Sequence, residues 1–296
     1  MNVRLFKRLF IINSFFVFYV GAKSRPVQDP YIFGDAFRSL CQFILDDDSD
    51  FDPDLVRCGD LVFVQLDYLG VFFESYHPKI TTKYILISHN HDMSAPGKFK
   101  NFLDDKKLFA WFTQNMDLEC HPKLYPIPIG LLNLFHGFAL GHLKQLERIR
   151  EQVFDTKNIL CYANFNSGTN ISERGYVRNL HADKPWIYWQ KKVNYSAFIS
   201  HVVRAKFVLC PHGGGLDCYR TWETLYLGSY PVVKTSTLDS LYEDLPVLTV
   251  ARWEDLNQEF LEKKYEEICK KKYKLEKLSF EYWCDLIKKK QDECRL

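Results

Sequence analysis

Apolar and polar residues alternate along this chain in blocks rather than one by one. Short apolar runs bounded by turn residues recur at 61–66 (LVFVQL), 84–90 (YILISHN), 107–115 (KLFAWFTQN) and 124–131 (LYPIPIGL). Such runs read as buried strands. A charged segment at 141–157, GHLKQLERIREQVFDTK, has helical spacing, and a second series of runs follows at 158–165, 186–190, 206–211, 230–234 and 246–250. Strands alternating with helices or loops predict an α/β fold with parallel sheets. The expected architecture is two Rossmann-like lobes, 26–150 and 151–296, behind a distinct N-terminal segment of residues 1–25. Near the C-terminus, Leu256, Phe260, Tyr265, Ile268, Leu278, Tyr282 and Leu286 return at helical spacing, which predicts an amphipathic helical tail packed on the second lobe. Its lysine triplets at 270–272 and 288–290 read as solvated faces.

The first residues change the picture of where the chain works. Basic Arg4, Lys7 and Arg8 precede an apolar stretch from Leu9 to Val20 and small residues at Gly21 and Ala22. That order is the pattern of a secretory signal peptide; an uncleaved signal anchor is the second reading and a buried first element the third. The expectation is a secretory-pathway or membrane-associated protein, with membrane association through the N-terminus, and a cytoplasmic one if the segment is no signal. In a lumen, Asn170-Ile-Ser and Asn194-Tyr-Ser would be glycosylation sequons.

Composition excludes more than it assigns. With 296 residues and 47% hydrophobic content the chain can bury two lobes, and 39 Lys and Arg against 37 Asp and Glu leave +2, which gives no electrostatic reason for a nucleic-acid partner. Nine cysteines are scattered without a CxxC or a zinc-type spacing, so no metal site is expected from them. The acidic run 46–54 (DDDSDFDPD) fails as a calcium loop, since Pro53 stands where glycine is needed and Gly59 where the last ligand belongs. As an Asp-x-Asp metal pair, Asp48 and Asp50 lack a strand end. A solvated loop is the preferred reading.

The chemistry concentrates in CPHGGGLDCYRTWETLYLGSYPVV, residues 210–233. It predicts a strand over 206–210, a loop from Pro211 to Leu216, a helix starting near Asp217 or Cys218 with Asp217 as N-cap, and Gly228 ending that helix before the next strand. Gly213, Gly214 and Gly215 carry no Cβ, so backbone N–H groups can approach an anion beside a helix N-terminus. Arg220 and Glu223 lie three apart on one helix face, where the Arg suits a diphosphate and the carboxylate the two hydroxyls of a ribose. Cys218, Trp222 and Leu225 form the buried side. The pattern is neither Walker A nor GxGxxG.

With the later LYEDLPVLTV, this stretch resembles the C-terminal lobe of exostosin-like glycosyltransferases: Pro, a Gly-rich loop, an Arg-x-x-Glu helix, Gly, then a Pro-Val strand. HPKITTKYILISHNHD, WFTQNMD, KLYPIPIGL and YANFNSGTNISERGYVRNL extend the resemblance to most of the chain after residue 30. The resemblance implies a GT-B fold whose C-terminal lobe binds a nucleoside diphosphate sugar, with Glu223 on the ribose and Arg220 and Gly213 to Gly215 near the diphosphate, and no essential metal or other cofactor. The chain is short for such an enzyme, so its acceptor lobe is expected to be minimal.

Other residues gather around this expectation. ISHNHD ends a first-lobe strand, where ligands meet open α/β sheets, and offers Asp92 first and His89 second as the base that takes a proton from the acceptor hydroxyl. The alternative is that His89 and Asn90 only order a turn. Asn164, Arg174 and Arg178, after the first strand of the second lobe, are expected near the donor phosphates. Gln114 and Asn115 should contact the acceptor or the seam between lobes, and Gly130 should serve backbone geometry. Trp186, Tyr188 and Trp189 read as core. The function expected is transfer of a sugar from a nucleoside diphosphate donor to a hydroxyl of a glycan or glycoprotein, inverting and metal-independent. The alternatives are a protein of the same fold that binds carbohydrate or nucleotide-sugar without turnover, and a metal-dependent transferase using Asp48 and Asp50.

Overall fold

The computed structural model describes residues 23–152 and 157–296, so the segment 1–25, read above as a signal peptide or anchor, lies outside the described residues except for Lys23, Ser24 and Arg25. The first five strands are β1 (Phe43–Leu45), β2 (Asp60–Gln65), β3 (Tyr84–His89), β4 (Leu108–Thr113) and β5 (Leu124–Pro126). The second five are β6 (Ile159–Ala163), β7 (Ile187–Trp189), β8 (Ala205–Leu209), β9 (Tyr230–Lys234) and β10 (Leu248–Val250). Each set forms one sheet with every pairing parallel, in the orders β1-β2-β3-β4-β5 and β10-β9-β8-β6-β7. The α/β expectation therefore holds as two five-stranded parallel sheets, one from each half of the chain.

The helices are α1 (Gly34–Ser39), α2 (Leu69–Val71), α3 (Ala139–Glu151), α4 (Tyr176–His181), α5 (Tyr195–Arg204), α6 (Tyr219–Tyr226), α7 (Asp239–Tyr242), α8 (Gln258–Lys270) and α9 (Phe280–Arg295). Among the described residues, none is long and apolar enough to cross a membrane.

Strand residues alternate between faces, and the two faces of each sheet meet different partners. On β3, Tyr84 packs against Phe72 and Ser88 accepts the Trp111 indole N–H at 2.8 Å, so this side faces the turns that follow β2. His89 points the other way and stacks on Phe37 of α1, which meets Phe280 of α9 edge-on at 5.1 Å. In the second sheet, Tyr162, Val208 and Val233 join a core continuous with the first lobe, while Cys161, Phe207 and Val232 join a separate core with Leu261 and Ile268 of α8.

The tail is thus divided. Both C-terminal helices were expected on the second lobe; α8 packs there, but α9 crosses back and lies against β3 and β4 of the first sheet. The acidic run is the exposed loop expected, with Asp47, Asp48, Asp50, Asp52 and Asp54 all at the surface, but several of its carboxylates are tied to neighbours. Arg25 reaches Asp48 at 2.8 Å and Arg38 reaches Asp46 at 2.6 Å, Asp47 takes Gln65 and Tyr68, and Asp50 accepts from Tyr76. Among the described residues no cluster of His, Cys, Asp or Glu is arranged to hold a metal ion.

Candidate functional site

In the second sheet the chain runs from β6 outward to β7 and then returns to the other side of β6 as β8. Such a reversal opens a crevice at the carboxyl ends of the two central strands, where open α/β sheets take ligands. Two segments leave from that crevice, 164–175 after β6 and 210–218 after β8.

The first segment delivers Arg174. Asn170 accepts from the Glu173 N–H, starting a π-type turn over Ile171–Gly175, and donates to the Gly213 carbonyl at 3.0 Å. Single π-turns of this kind recur at functional sites. Arg174 is 8% exposed and bonds the His212 carbonyl at 2.9 Å and Cys218 Sγ at 3.5 Å. Its guanidinium lies 6.0 Å from the Phe165 ring centre, and that of Arg220, from the first turn of α6, lies 5.9 Å from the same ring. Neither cation makes an ion pair with a carboxylate among the described residues, and Arg220 Nε is buried without a partner. Burial depresses the pKa of Arg174; Cys218 opposes that shift and the like charge of Arg220 adds to it. Two cations held together in a crevice, one with an unused donor, form an anion site in waiting.

Glu223 follows one turn later, with the Tyr195 hydroxyl bonded to it and the Arg220 charge nearby. Burial raises its pKa against both of those influences. It lines a cavity of about 20 Å³ with Phe33, Leu131, Ala139, His142 and Tyr195, room for roughly one water. The first-lobe wall therefore narrows the space beside the carboxylate, and Glu223 is half-buried.

The glycine run meets protein groups from both lobes. A Cβ on Gly213 would lie 2.8 Å from Arg174, one on Gly214 2.7 Å from Asp92 Cγ, and one on Gly215 2.9 Å from Asn115 Cγ. None of the three has a positive φ, so what restricts a side chain here is close approach and not backbone conformation, most firmly at Gly215 against the buried Asn115. Asp92 itself is exposed, with its carboxylate against the loop. The structure thus brings Asp92, Arg174, Arg220 and the three glycines together.

His89 is not available as a base. It is buried, its Nε2 bonds the Pro128 carbonyl at 3.0 Å, its Nδ1 takes the Asn90 N–H at 2.7 Å, and burial pulls its pKa down to about 4. With Asn90 at φ 64 and its amide donating to buried Asp35, this pair orders the turn, which is the alternative weighed above. Asn164 directs its amide hydrogens to the Gln190 and Lys191 carbonyls, so the atom it has left is an acceptor, the wrong sign for a phosphate. Arg178 is exposed, away from the buried Arg174.

Asp217 was expected to cap α6, but Cys218 occupies that position. Instead Asp217 is buried in the seam between lobes and accepts four hydrogen bonds: from Ile129 N and Trp222 Nε1 at 2.8 Å, Cys218 N at 2.9 Å and the Tyr242 hydroxyl at 3.0 Å. Even so, burial pushes its pKa up to about 6. Asn115 completes the seam. Its Oδ1 accepts from Asp217 N at 2.9 Å, and its amide faces the carbonyls of His91, Asp92 and Met93. Gln114 bonds the His91 carbonyl. Gly130 holds φ 68, and a Cβ there would strike the Ile32 backbone.

No protein-family model and no curated protein matches this sequence. The geometry stands on its own residues. Phe165 and Tyr195 were not singled out, and Asp217 was read only as a cap, because their partners Arg220, Glu223 and Ile129 lie far away in the chain.

Proposed function

We propose that the protein is a GT-B type glycosyltransferase of exostosin-like character, moving a sugar from a nucleoside diphosphate donor to a hydroxyl of a glycan or glycoprotein with inversion. The observation that carries the reading is the pair Arg174 and Arg220, held around Phe165 at the reversal of the second sheet without a carboxylate partner. A diphosphate supplies negative charge in direct contact with both guanidinium groups, Arg220 otherwise having the Glu223 charge near it, and the charge that grows on the diphosphate as the glycosidic bond breaks is what they stabilise. Asp92, against Gly214, is the group to accept the acceptor hydroxyl's proton as its oxygen attacks the anomeric carbon. Glu223 meets the ribose only after the wall formed by Leu131, Ala139 and His142 withdraws. That enclosure is also what favours the second reading, a protein of the same build that binds glycan or nucleotide-sugar without turnover.

The test is calorimetric and thermal-shift titration of the chain with UDP, GDP, CDP and their sugars, with and without EDTA. One diphosphate should stabilise the protein by about 2.7 kcal/mol at a hundredfold excess over its dissociation constant. Arg174→Ala and Arg220→Ala should abolish that gain. Folded protein that binds no nucleotide sinks the transferase reading, and tight binding without transfer supports the second.

A further inference from the structure

The end of α9 is clamped onto the turn that enters β2. Gln291 donates to the Gly59 carbonyl at 2.8 Å, and the Arg295 side chain lies 2.6 Å from where a Cβ of Gly59 would stand, with Gly59 itself at φ 81. The neighbour of that glycine is Cys58, exposed, and the neighbour of that arginine is Cys294, only 3% exposed in the last turn of the helix. Cys58 Sγ lies 3.5 Å from the Cys294 carbonyl oxygen, across 236 positions of sequence, and its nearness adds to the upward shift of the Cys294 pKa. Both are free thiols in this structure.

We propose that Cys58 and Cys294 are a disulfide site, closed by thiol–disulfide exchange with a small or protein disulfide, which fastens α9 to the first lobe. The exposed Cys58 thiolate attacks a sulfur of the donor disulfide and releases one donor thiol, leaving a mixed disulfide on Cys58. Cys294 then attacks the Cys58 sulfur, forming the intrachain bond and releasing the second donor thiol. The two protein thiols are oxidised, the donor disulfide is reduced, and the two thiol protons end on the two released thiols. Burial pushes the Cys294 pKa up to about 11, so attack by its thiolate quickens as pH rises. A bond between residues this far apart removes much freedom from the unfolded chain. It also fastens the last turn of α9, where a helix otherwise frays, to the turn before β2.

The experiment starts with fully reduced full-length protein, equilibrates it with excess oxidised glutathione, blocks remaining thiols with iodoacetamide, and maps peptides by mass spectrometry without reduction. A linked Cys58–Cys294 peptide and a thermal midpoint raised by about 5 °C or more over the reduced form are expected. Cys58→Ser, a change at an exposed position, should give neither and should melt with the reduced wild type. Alkylated or separately glutathionylated Cys58 and Cys294, a different cysteine pairing, or a midpoint rise that persists in Cys58→Ser each overturns the proposal.

Discussion

Two adjacent glycines should answer very differently to the same methyl group. Gly214→Ala places its Cβ against the carboxylate of Asp92, the free end of an exposed side chain that can rotate away. Gly215→Ala places its Cβ 2.9 Å from Cγ of Asn115, which is fully buried, sits at φ 52 and is held by Asp217 N at 2.9 Å. At an unstrained site, Gly→Ala stabilises by about 0.4–1 kcal/mol through the unfolded chain. For Gly214 that gain and the small cost of turning Asp92 leave stability within roughly 1 kcal/mol of wild type. For Gly215 the side chain of Asn115 must leave its place, which orphans the buried Asp217 N–H at about 1–3 kcal/mol, and overpacking adds about 1–3 kcal/mol more. The net expectation is a loss of about 3 kcal/mol, near 5 °C in midpoint for a chain of this size. Differential scanning calorimetry of the two variants side by side reads the contrast. Equal losses, or a Gly215→Ala variant within 1 kcal/mol of wild type, would refute the packed seam on which the site depends.

Other expectations follow from the same geometry. Asp92→Asn should leave diphosphate affinity within about twofold and lower the transfer rate by about a hundredfold or more, as loss of a general base does; an unchanged single-turnover rate would remove Asp92 from the reaction. Asp217 has a folded-state pKa of about 6, above the ordinary 3.8. Its protonation therefore contributes stability that is full below about pH 4 and lost as pH rises through 6, about 3 kcal/mol in all. Urea denaturation from pH 4 to 7, comparing wild type with Asp217→Asn, should show that slope only in the wild type, and parallel curves would contradict it.

Much of this fold was written locally. Buried parallel strands appear as unbroken apolar runs, so β2, β3, β4, β8 and β9 stand near where VFVQ, YILIS, FAWFT, KFVL and YPVVK place them. β1 is three residues, Phe43–Leu45, too short for any period to show. Amphipathic spacing in the tail reveals which side of α9 is apolar but not which sheet it meets, so its crossing to β3 and β4 was not legible. The same limit governs the site. Arg174, Arg220 and the glycines could be read because strand, loop and helix carry them in order. Asp217 looked like a cap because its true partner, Ile129 N, is 88 positions away. His89 looked reactive because a histidine at a strand end is chemically suggestive, while the ring of Phe37 over it is visible only in the folded chain.

The position of α9 also orders events during synthesis. The residues from Phe280 onward are made after the strands of both sheets, yet they cover the side of β3 and β4 that carries His89 and meets Phe37. The first sheet is therefore completed only after the second has been made. Until α9 emerges, that face of the first sheet is covered only in part, by α1, and a nascent chain halted before α9 is a natural client for a chaperone.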